Sequence, residues 1–438
     1  MNLNPFIYGN PVDSPHFFNR RQPLRRVIGR ILSGGQSTAI IGEPRTGKTS
    51  LLHYLAGPHE VRQVHYGEQA ERLLFAYLDT QALGGQFTAA QFWERALIGL
   101  EWLVEAEPDK PLAQQYLLCR ENGFGLFTLE VLFRLLKKDG WRLLVLLDEF
   151  DTLLNHPVLN SVEFFGGLRS LASRSEGALA LVIGSRLPLS QLNARTQEFN
   201  PTCSPYFNIF AEITLGPFSE QDTAELLNRA GDCFNSWDKR AIRAVAGGHP
   251  FLLQTAAAAM WDAHEDGLTE MVDRRRAMGQ RLYRENKWLF ADTWRVWLPA
   301  TRKAFTSVAL AHTAHLLPQR EFLTDAFIAG LRDFGPELDD LDSCGLIIRD
   351  EQVRGGWRVA PQAMLWWLAD ELVRAVRRDD VSFEEWLRAQ EMDHLLTKKE
   401  REQLNQVARG AVQILGQGAT TLVEAFAKGL GDSLAGTS

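Results

Sequence analysis

The chain has 438 residues, of which 45% are hydrophobic and 23% are charged, and its formal net charge is −7. This composition is typical of a globular protein with more than one domain and argues against a fibrous or disordered chain. The acidic balance excludes a general electrostatic attraction to DNA or anionic lipid. Four separated cysteines without a CxxC pair indicate neither a zinc site nor a disulfide framework. Because no signal sequence or transmembrane segment is recognisable, we expect a cytoplasmic protein.

Apolar runs predict the elements of the first half of the chain. Four short runs, at residues 38–41, 73–78, 143–147 and 178–183, are separated by helical stretches. Such alternation is typical of repeated βαβ units, and therefore of a parallel sheet covered by helices on both faces. We expect an α/β domain, with the N-terminal segment, over residues 1–218.

The second half of the chain has a different pattern. The capping box Ser219-x-x-Asp222 opens a series of amphipathic helices, which predicts a helical domain over residues 219–297. Residues 298–375 show helices followed by two short extended runs around Gly355-Gly356, which is a winged-helix pattern. Residues 376–438 are predicted to form a C-terminal helical tail. We interpret the basic stretch of Arg274, Arg275, Arg276, Arg281 and Arg284 as a solvated helix face.

Residues 42–49 read GEPRTGKT and fit the Walker A motif GxxxxGK[ST]. The motif lies between a predicted strand and a predicted helix, where backbone N–H groups and the helix N-terminus bind phosphate. Lys48 is predicted to contact the β- and γ-phosphates, and the Thr49 hydroxyl is predicted to ligate Mg²⁺. The remaining residues predicted here to bind the nucleotide are Gly42, Glu43, Pro44, Arg45, Thr46, Gly47 and Ser50. The motif predicts that the α/β domain is a P-loop NTPase domain. By itself it does not distinguish ATP from GTP.

A Walker B pattern follows about a hundred residues later, in the sequence LLVLLDEFD. Asp148 ends the aliphatic strand and is predicted to hold Mg²⁺ through its water shell. Glu149 is predicted to orient and deprotonate the attacking water, so that Lys48 and Glu149 are the candidate catalytic residues. Asp151 is interpreted as a helix N-cap or a support for the loop.

Two further residues are weighed from their positions. Arg186 follows the fourth predicted strand, where it is either a phosphate sensor or an exposed surface arginine. His249 lies in GGHPFLLQ, a turn followed by an apolar helix start, and by its chemistry alone it is a loop histidine.

The order of these motifs over residues 4–375 resembles the STAND class of signal-transduction ATPases within the AAA+ group. The N-terminal matches are Pro11, Val12, Phe18 and Arg20, in a segment that contacts adenine in that class; Asn19 stands where the class usually has glycine. Gly247-Gly248-His249-Pro250 resembles the GxP motif, in which the proline packs near the base.

The resemblance implies a slow ATPase that uses ATP and ADP, with Mg²⁺, as a switch. ADP would hold the chain closed with the help of His249 and Pro250, and ATP would open it for assembly. The partners implied are the nucleotide and, on activation, further copies of the chain or another protein. A role in signalling or biological conflict follows from the same resemblance.

The first alternative is a DNA-associated, origin-recognition-like AAA+ ATPase, which shares the same core and a winged helix. The segment expected to be its recognition helix carries four carboxylates, at Glu337, Asp339, Asp340 and Asp342. These would repel DNA phosphates, so DNA binding through the winged helix is not expected.

The second alternative is a membrane- or partner-binding adaptor that uses the C-terminal amphipathic helix. From Leu404 onward, apolar residues recur near the helical period. Such a stripe is typical either of a packing face or of a docking face, and its polar side lacks the lysines and arginines of a membrane-surface helix. We expect residues 397–438 to carry self-association or partner docking.

Overall fold

The computed structural model describes residues 3–12, 16–198, 204–316, 324–378, 380–415, 423–424 and 426–428. The chain forms two compact units. The first comprises Met1–Gly9, Pro44–Thr46 and Gly216–Ser438, and the second comprises Asn10–Glu43 and Gly47–Leu215. The four-part division expected from the sequence stays a prediction.

The second unit is built on a parallel sheet with the strand order β2-β3-β4-β1-β5. Its strands are β1 (Thr38–Ile41), β2 (Leu73–Asp79), β3 (Arg142–Asp148), β4 (Leu179–Ser185) and β5 (Ala211–Thr214). The first four confirm the predicted strands. Side chains along β1, β3 and β4 are almost all buried, since helices cover both faces of the sheet. The α/β class predicted from the alternation is therefore confirmed.

The described residues of the second unit form nine α-helices. They are α1 (Arg21–Gly34), α2 (Lys48–Leu55), α3 (His59–Tyr66), α4 (Ala89–Ala96), α5 (Glu101–Ala106), α6 (Pro111–Glu121), α7 (Leu126–Lys138), α8 (Val162–Arg174) and α9 (Leu189–Gln197). A capping box starts α4: the Thr88 side chain accepts a hydrogen bond from the Gln91 N–H, and the Gln91 side chain accepts one from the Thr88 N–H.

The strand β5 was not predicted from the sequence. It pairs with β1 alone, as an edge strand. Only Ile213 of its four residues is buried, so the segment lacks the apolar run that marks the other strands. Its extended conformation depends on pairing with β1, which a local pattern does not reveal.

The first unit is mainly helical. Its helices are α10 (Glu220–Leu227), α11 (Ser236–Ala246), α12 (Pro250–Glu265), α13 (Met271–Val296), α14 (Pro299–Leu316), α15 (Asp325–Gly330), α16 (Gly335–Ser343), α17 (Gln362–Arg378), α18 (Asp380–Ala389) and α19 (Lys398–Leu415). Strands β6 (Ile347–Arg349) and β7 (Trp357–Val359) form an antiparallel pair between α16 and α17. The predicted capping box before α10 is present.

Arg274 and Arg275, at the start of α13, are not part of a solvated face, contrary to the sequence interpretation, whereas Arg284 is exposed as predicted. Arg274 and Arg275 are buried, with 6% and 0% of their surface exposed. The Arg274 guanidinium donates to Asp238 Oδ1 of α11 at 3.3 Å. The other carboxylate oxygen of Asp238 lies 3.1 Å from His264 Nε2 of α12. Because a buried charge needs a partner, this group joins α11, α12 and α13 in one arrangement.

The C-terminal segment packs inside the first unit. Thr397 and Glu400 cap α19 reciprocally, and Glu400 also forms a buried ion pair with Lys303 of α14 at 3.1 Å. Leu404 and Val407 of the apolar stripe are buried. This packing contradicts the docking interpretation at Leu404 and Val407, because these apolar side chains already have a partner surface. Leu422, Leu430 and Leu434 lie outside the described residues.

Among the described residues, no helix combines the length and the hydropathy that crossing a membrane requires.

Histidine 312 on α14 is a buried neutral group with a measurable consequence. Its Nδ1 accepts a hydrogen bond from the Val359 N–H at 3.3 Å, and only 1% of its surface is exposed. Burial, with the nearby charges of Arg358 and His315, lowers the pKa of His312 to about 3, from 6.5. Between these values the unfolded chain binds a proton that the folded chain does not, so acidification favours unfolding.

We therefore expect His312 to lower the free energy of unfolding of the first unit by about 1.4 kcal/mol for each pH unit below 6.5. The variant His312→Gln removes this titration and should show a flatter acid dependence. Urea titrations between pH 7.0 and 4.5 measure the slope, with the exposed His394→Gln as control. Equal slopes for wild type and His312→Gln would contradict the assignment.

Candidate functional site

The Walker A loop connects β1 to α2. The Gly42 N–H donates to the Ser185 carbonyl oxygen of β4 at 3.2 Å, which holds the start of the loop at the end of the sheet. Gly47 has a φ of +96°, a conformation that side chains rarely adopt, and α2 begins at the next residue. Lys48 and Thr49 therefore occupy the first turn of a helix whose N-terminus faces the loop. Ser50 follows them in that turn.

Lys48 is buried within its own loop, with 4% of its surface exposed. Its Nζ donates to the carbonyl oxygens of Gly42 at 2.8 Å and of Glu43 at 3.1 Å. Burial lowers the pKa of Lys48, and the carboxylates of Glu149, Asp151 and Glu43 act in the opposite direction. The loop thus places a desolvated ammonium group beside carboxylates that follow β3.

Asp148 ends β3 and is also buried, at 3% exposure. Its Oδ1 accepts from the Glu149 N–H at 3.1 Å, and its Oδ2 accepts from the Tyr77 hydroxyl at 3.0 Å. Burial and the adjacent Asp148 carboxylate raise the pKa of Tyr77, so Tyr77 remains a hydrogen-bond donor at neutral pH. These contacts orient the carboxylate of Asp148 with both oxygens engaged.

Gly184 on β4 brings the two motifs together. A Cβ atom at this position would lie 3.0 Å from Asp148 Oδ1 and 3.8 Å from Lys48 Cβ. Lys48 and Asp148 are therefore both neighbours of Gly184, and the absence of a side chain there leaves room for them. The sequence patterns at Gly42–Thr49 and at Asp148 converge at one edge of the sheet.

Glu149 has a left-handed backbone conformation, with φ +51° and ψ +38°. For a residue other than glycine this conformation costs on the order of 1 kcal/mol, so the surroundings must impose it. Thr80 lies directly after β2, and its Oγ1 is 2.8 Å from the carbonyl oxygens of both Asp148 and Glu149. It also lies 3.0 Å from Thr152 Oγ1. Thr80 thereby fixes the end of β3 and the position of Glu149, the candidate base, which follows it.

Arg186 is paired with the candidate base. Its Nε donates to Glu149 Oε2 at 3.2 Å, and both side chains are about three-quarters buried. Its backbone N–H donates to Asp151 Oδ1 at 3.0 Å. Arg186 is thus not an exposed surface arginine. Asp151 supports the end of β4 and does not cap a helix, because the 3-10 turn at Phe150–Asn155 has no side-chain cap.

The N-terminal segment contacts α2: the Val12 N–H donates to Ser50 Oγ at 3.2 Å, and the Phe17 ring stacks on the Tyr54 ring with their centroids 4.2 Å apart. Pro11 is exposed, Phe18 is half-buried and Arg20 is buried. Asn19 has a φ of +61°, the left-handed conformation that a glycine would adopt easily. Asparagine tolerates this conformation better than most residues, so the backbone is compatible with Asn19.

In the first unit, His249 and Pro250 start α12 beside the centre of the Walker A loop. His249 is the N-cap, and its Nδ1 accepts from the Leu252 N–H at 3.4 Å. The ring proton is therefore on Nε2, which lies 3.2 Å from the Pro44 carbonyl oxygen. His249 is a capping residue that also contacts the loop, which its chemistry alone did not predict. Pro250 occupies the first helical turn, where its missing N–H has no cost.

Arg45 contacts two helices of the same unit. Its guanidinium lies 5.5 Å from the ring centroids of Phe251 on α12 and Trp288 on α13. One nitrogen also donates to the Gly9 carbonyl oxygen. Thr46 is buried. The central residues of the loop are thus held by cation–π contacts and hydrogen bonds to helical residues.

The oxygen donors near Lys48 suit Mg²⁺. Thr49 lies half-buried in the first turn of α2, and Asp148 supplies a carboxylate. Magnesium prefers oxygen ligands and retains several waters, so a hydroxyl and a carboxylate that acts through water fit it. The hydrogen bonds already made by Asp148 also leave a water-mediated role to this carboxylate.

Tyr77 and Thr80 were missed by the sequence analysis. They belong to β2 and the turn after it, and the pairing of β2 with β3 sets Asp79 opposite Asp148. A polar residue after the second apolar run was the only signal, and it is common in loops. The strand order, which local sequence does not contain, makes these residues neighbours of the site.

No protein-family model and no curated protein matches the sequence. Solved structures do match: a Walker-type ATPase of Pyrococcus abyssi is 16% identical over 82% of this chain and 98% of its own, with a TM-score of 0.51. The ORC2 protein of Aeropyrum pernix is 15% identical over 82% and 95%, with a TM-score of 0.48. Drosophila ORC bound to DNA is 14% identical over 82% and 88%, with a TM-score of 0.42. The first similarity shows that the chain shares the fold of a Walker-type ATPase.

The contacts of Thr80 lead to a prediction about stability. Thr80→Val keeps the shape of the side chain but leaves the carbonyl groups of Asp148 and Glu149 without its hydroxyl. We expect a loss of about 1–3 kcal/mol in the free energy of unfolding of the second unit, measured by urea titration. Thr80→Ser, which keeps the hydroxyl and loses one methyl group, should cost less. The positioning role is wrong if the valine variant is at least as stable as the serine variant.

Proposed function

We propose that this chain binds ATP and ADP with Mg²⁺ and hydrolyses ATP slowly, as a switch. The observation that carries the proposal is the convergence of Lys48 and Asp148 on either side of Gly184. A Walker A lysine and a carboxylate at the end of a neighbouring parallel strand are the parts that P-loop enzymes use to bind a nucleoside triphosphate. The shared fold of a Walker-type ATPase supports the same chemistry.

Each residue has a defined task in this proposal. Lys48 brings a desolvated positive charge to the β- and γ-phosphates, which attract it away from the loop carbonyls. Thr49 and Asp148 hold Mg²⁺, which when bound neutralises charge on the phosphate oxygens. Glu149 accepts the proton of the attacking water. The remaining residues of Gly42–Ser50 bind phosphate through backbone N–H groups and the helix N-terminus.

The ion pair between Glu149 and Arg186 supports slow hydrolysis. While the guanidinium donates to the Glu149 carboxylate, that carboxylate is not free to take a proton from water. Nucleotide phosphate competes for Arg186, because a guanidinium binds phosphate with two parallel hydrogen bonds. Arg186 would then report the γ-phosphate and release the base in the same movement.

The contacts of the loop centre support a switch. The His249–Pro44 hydrogen bond and the position of Arg45 over Phe251 and Trp288 connect the loop to α12 and α13. A nucleotide that binds one arrangement of these contacts better shifts the population toward it. We propose the ADP-closed, ATP-open cycle of the STAND class, with Pro11, Val12, Phe18, Arg20 and Pro250 near the base, and self-association or a protein partner as output.

A DNA-associated, origin-recognition-like ATPase is the second candidate. We infer a winged helix from the order of α14, α15, α16, the β6–β7 pair and α17, and this part would contact DNA in such a protein. Against it, Asp339, Asp340 and Asp342 of α16 are exposed. Burial and the neighbouring carboxylates of Glu337 and Asp339 raise the pKa of Asp340, which reflects the density of negative charge. Tight binding of duplex DNA at physiological salt would favour this candidate.

The first functional prediction concerns Lys48. Lys48→Ala removes the charge that meets the phosphates, and alanine is well tolerated in the first turn of a helix. We expect the affinity for ATP with Mg²⁺, measured by calorimetry, to fall by about tenfold or more. Lys137→Ala, at an exposed position on α7, is the control. Unchanged affinity in Lys48→Ala would remove the basis of the proposed nucleotide site.

The second functional prediction concerns Glu149. Glu149→Gln retains the shape and can still orient water, but it cannot accept a proton. Single-turnover hydrolysis should slow by about 10²–10⁴-fold while ATP affinity is retained. Glu163→Gln, exposed at the start of α8, should hydrolyse ATP at the wild-type rate. If Glu149→Gln also does so, another group takes the proton.

A further inference from the structure

One cavity has all of its lining residues within the first unit. It has a volume of about 660 Å³ and is formed by α10 and α11, the Gly247–Gly248 turn and the strands β6 and β7. Its lining, as described, includes no residue of the Walker A loop and neither Asp148 nor Glu149. The volume falls in the range of about 300–1,000 Å³ that is usual for small-molecule sites. The cavity is therefore large enough for a ligand of its own.

One face of α11 supplies the cavity with positive charge. Lys239, Arg240 and Arg243 all line it. The opposite face of the helix, with Asp238 and Ile242, is buried in the core of the unit. The amphipathic pattern of α11 thus turns its three cationic side chains to the cavity side, and Arg358 of β7 adds a fourth.

Carboxylates compensate this charge only in part. Arg358 is paired with Asp350 at 3.0 Å. Lys239 donates to the neutral Asn228 Oδ1 at 2.9 Å, and Arg240 lies 4.7 Å from the ring centroid of Trp237. Within the described part of the chain, none of the three α11 cations forms an ion pair with a carboxylate. Glu220 is the acidic residue among the described lining.

The α11 charges repel each other in the absence of an anion. Lys239 and Arg243 are four positions apart on a helix, where like charges destabilise the helix. The whole chain carries a net charge of −7, so this concentration of positive charge differs from the general composition. An anionic ligand with more than one charge would relieve the repulsion.

The other lining groups specify the chemistry of the ligand further. His312 is neutral and accepts from Val359 through Nδ1, so its Nε2–H is a donor at the wall. Phe218 and Ile348 provide apolar surface. Arginine side chains bind phosphate oxygens in pairs, and an apolar wall suits a ring or a carbon skeleton.

We propose that this cavity binds a small organic phosphate of nucleotide size with at least two phosphate groups, as a second anion site separate from the Walker A loop. Lys239, Arg240 and Arg243 bind the phosphates, and Phe218 and Ile348 contact the organic part. An extended nucleic acid is disfavoured, because α16, which ends two residues before the lining residue Gly345, carries the exposed carboxylates of Asp339, Asp340 and Asp342.

The test uses the full chain with Lys48→Ala, so that binding in the Walker A loop does not obscure the second site. Calorimetry with inorganic tripolyphosphate, and separately with ATP, measures what remains. We expect one equivalent of each to bind, and ATP to bind more tightly because of its organic part. Adding Lys239→Glu and Arg243→Glu should weaken both by about tenfold or more.

The matched control is Arg284→Glu with Lys287→Glu, which makes the same charge change at two exposed positions on α13 and should leave binding unchanged. If the double reversal on α11 does not fold, as judged by circular dichroism, the milder Arg243→Gln should still weaken binding. The proposal is overturned if Lys48→Ala binds neither probe, or if the α11 changes have no more effect than the control. It is also overturned if these changes abolish only the binding of a 30-base-pair DNA duplex.

Discussion

The position of β4 between β1 and β3 in a parallel sheet is the constraint on which the candidate site depends. Parallel strands end at the same edge, so the loop after β1 and the carboxylate at the end of β3 are separated by the width of a single strand. At that strand the residue is Gly184, where a side chain would meet Asp148. The sheet order and one missing Cβ together bring a buried ammonium and a buried carboxylate into one site.

Near Lys48 and Asp148, the candidate catalytic groups form hydrogen bonds and ion pairs with neighbouring groups of the protein. Lys48 is bonded to the carbonyls of its own loop, and Glu149 is bonded to Arg186. Glu149 also has a left-handed backbone, held by the hydroxyl of Thr80. If the site binds a phosphate as we propose, the phosphate must exchange these contacts for its own, and the cost of that exchange supports the slow turnover in the proposed function.

The first unit uses charged side chains in two different ways. Asp238 pairs with Arg274 and His264, and Lys303 pairs with Glu400. These ion pairs fix the positions of helices that are distant from each other in the sequence. Breaking one partner of such a pair leaves an uncompensated charge, which makes these pairs specific. On the other face of α11 the cations have no carboxylate partners among the described residues. The same helix thus satisfies its charge on the core side and leaves it unsatisfied at the cavity.

Local sequence by itself determined four of the five strands of the parallel sheet and the identity of the strongest motifs. Buried strands are continuous aliphatic runs, and capping boxes mark helix starts. The Walker A motif at Gly42–Thr49 is recognised from its glycines and lysine. Each of these patterns is contained within a few residues. Tertiary structure decided what local patterns do not contain. Strand β5 exists through pairing with β1, Tyr77 and Thr80 join the site through the strand order, and Arg274 is buried because Asp238 meets it from another helix. The position of His249 beside Pro44 and the burial of the C-terminal stripe have the same origin, because their energies come from partners far away in the chain.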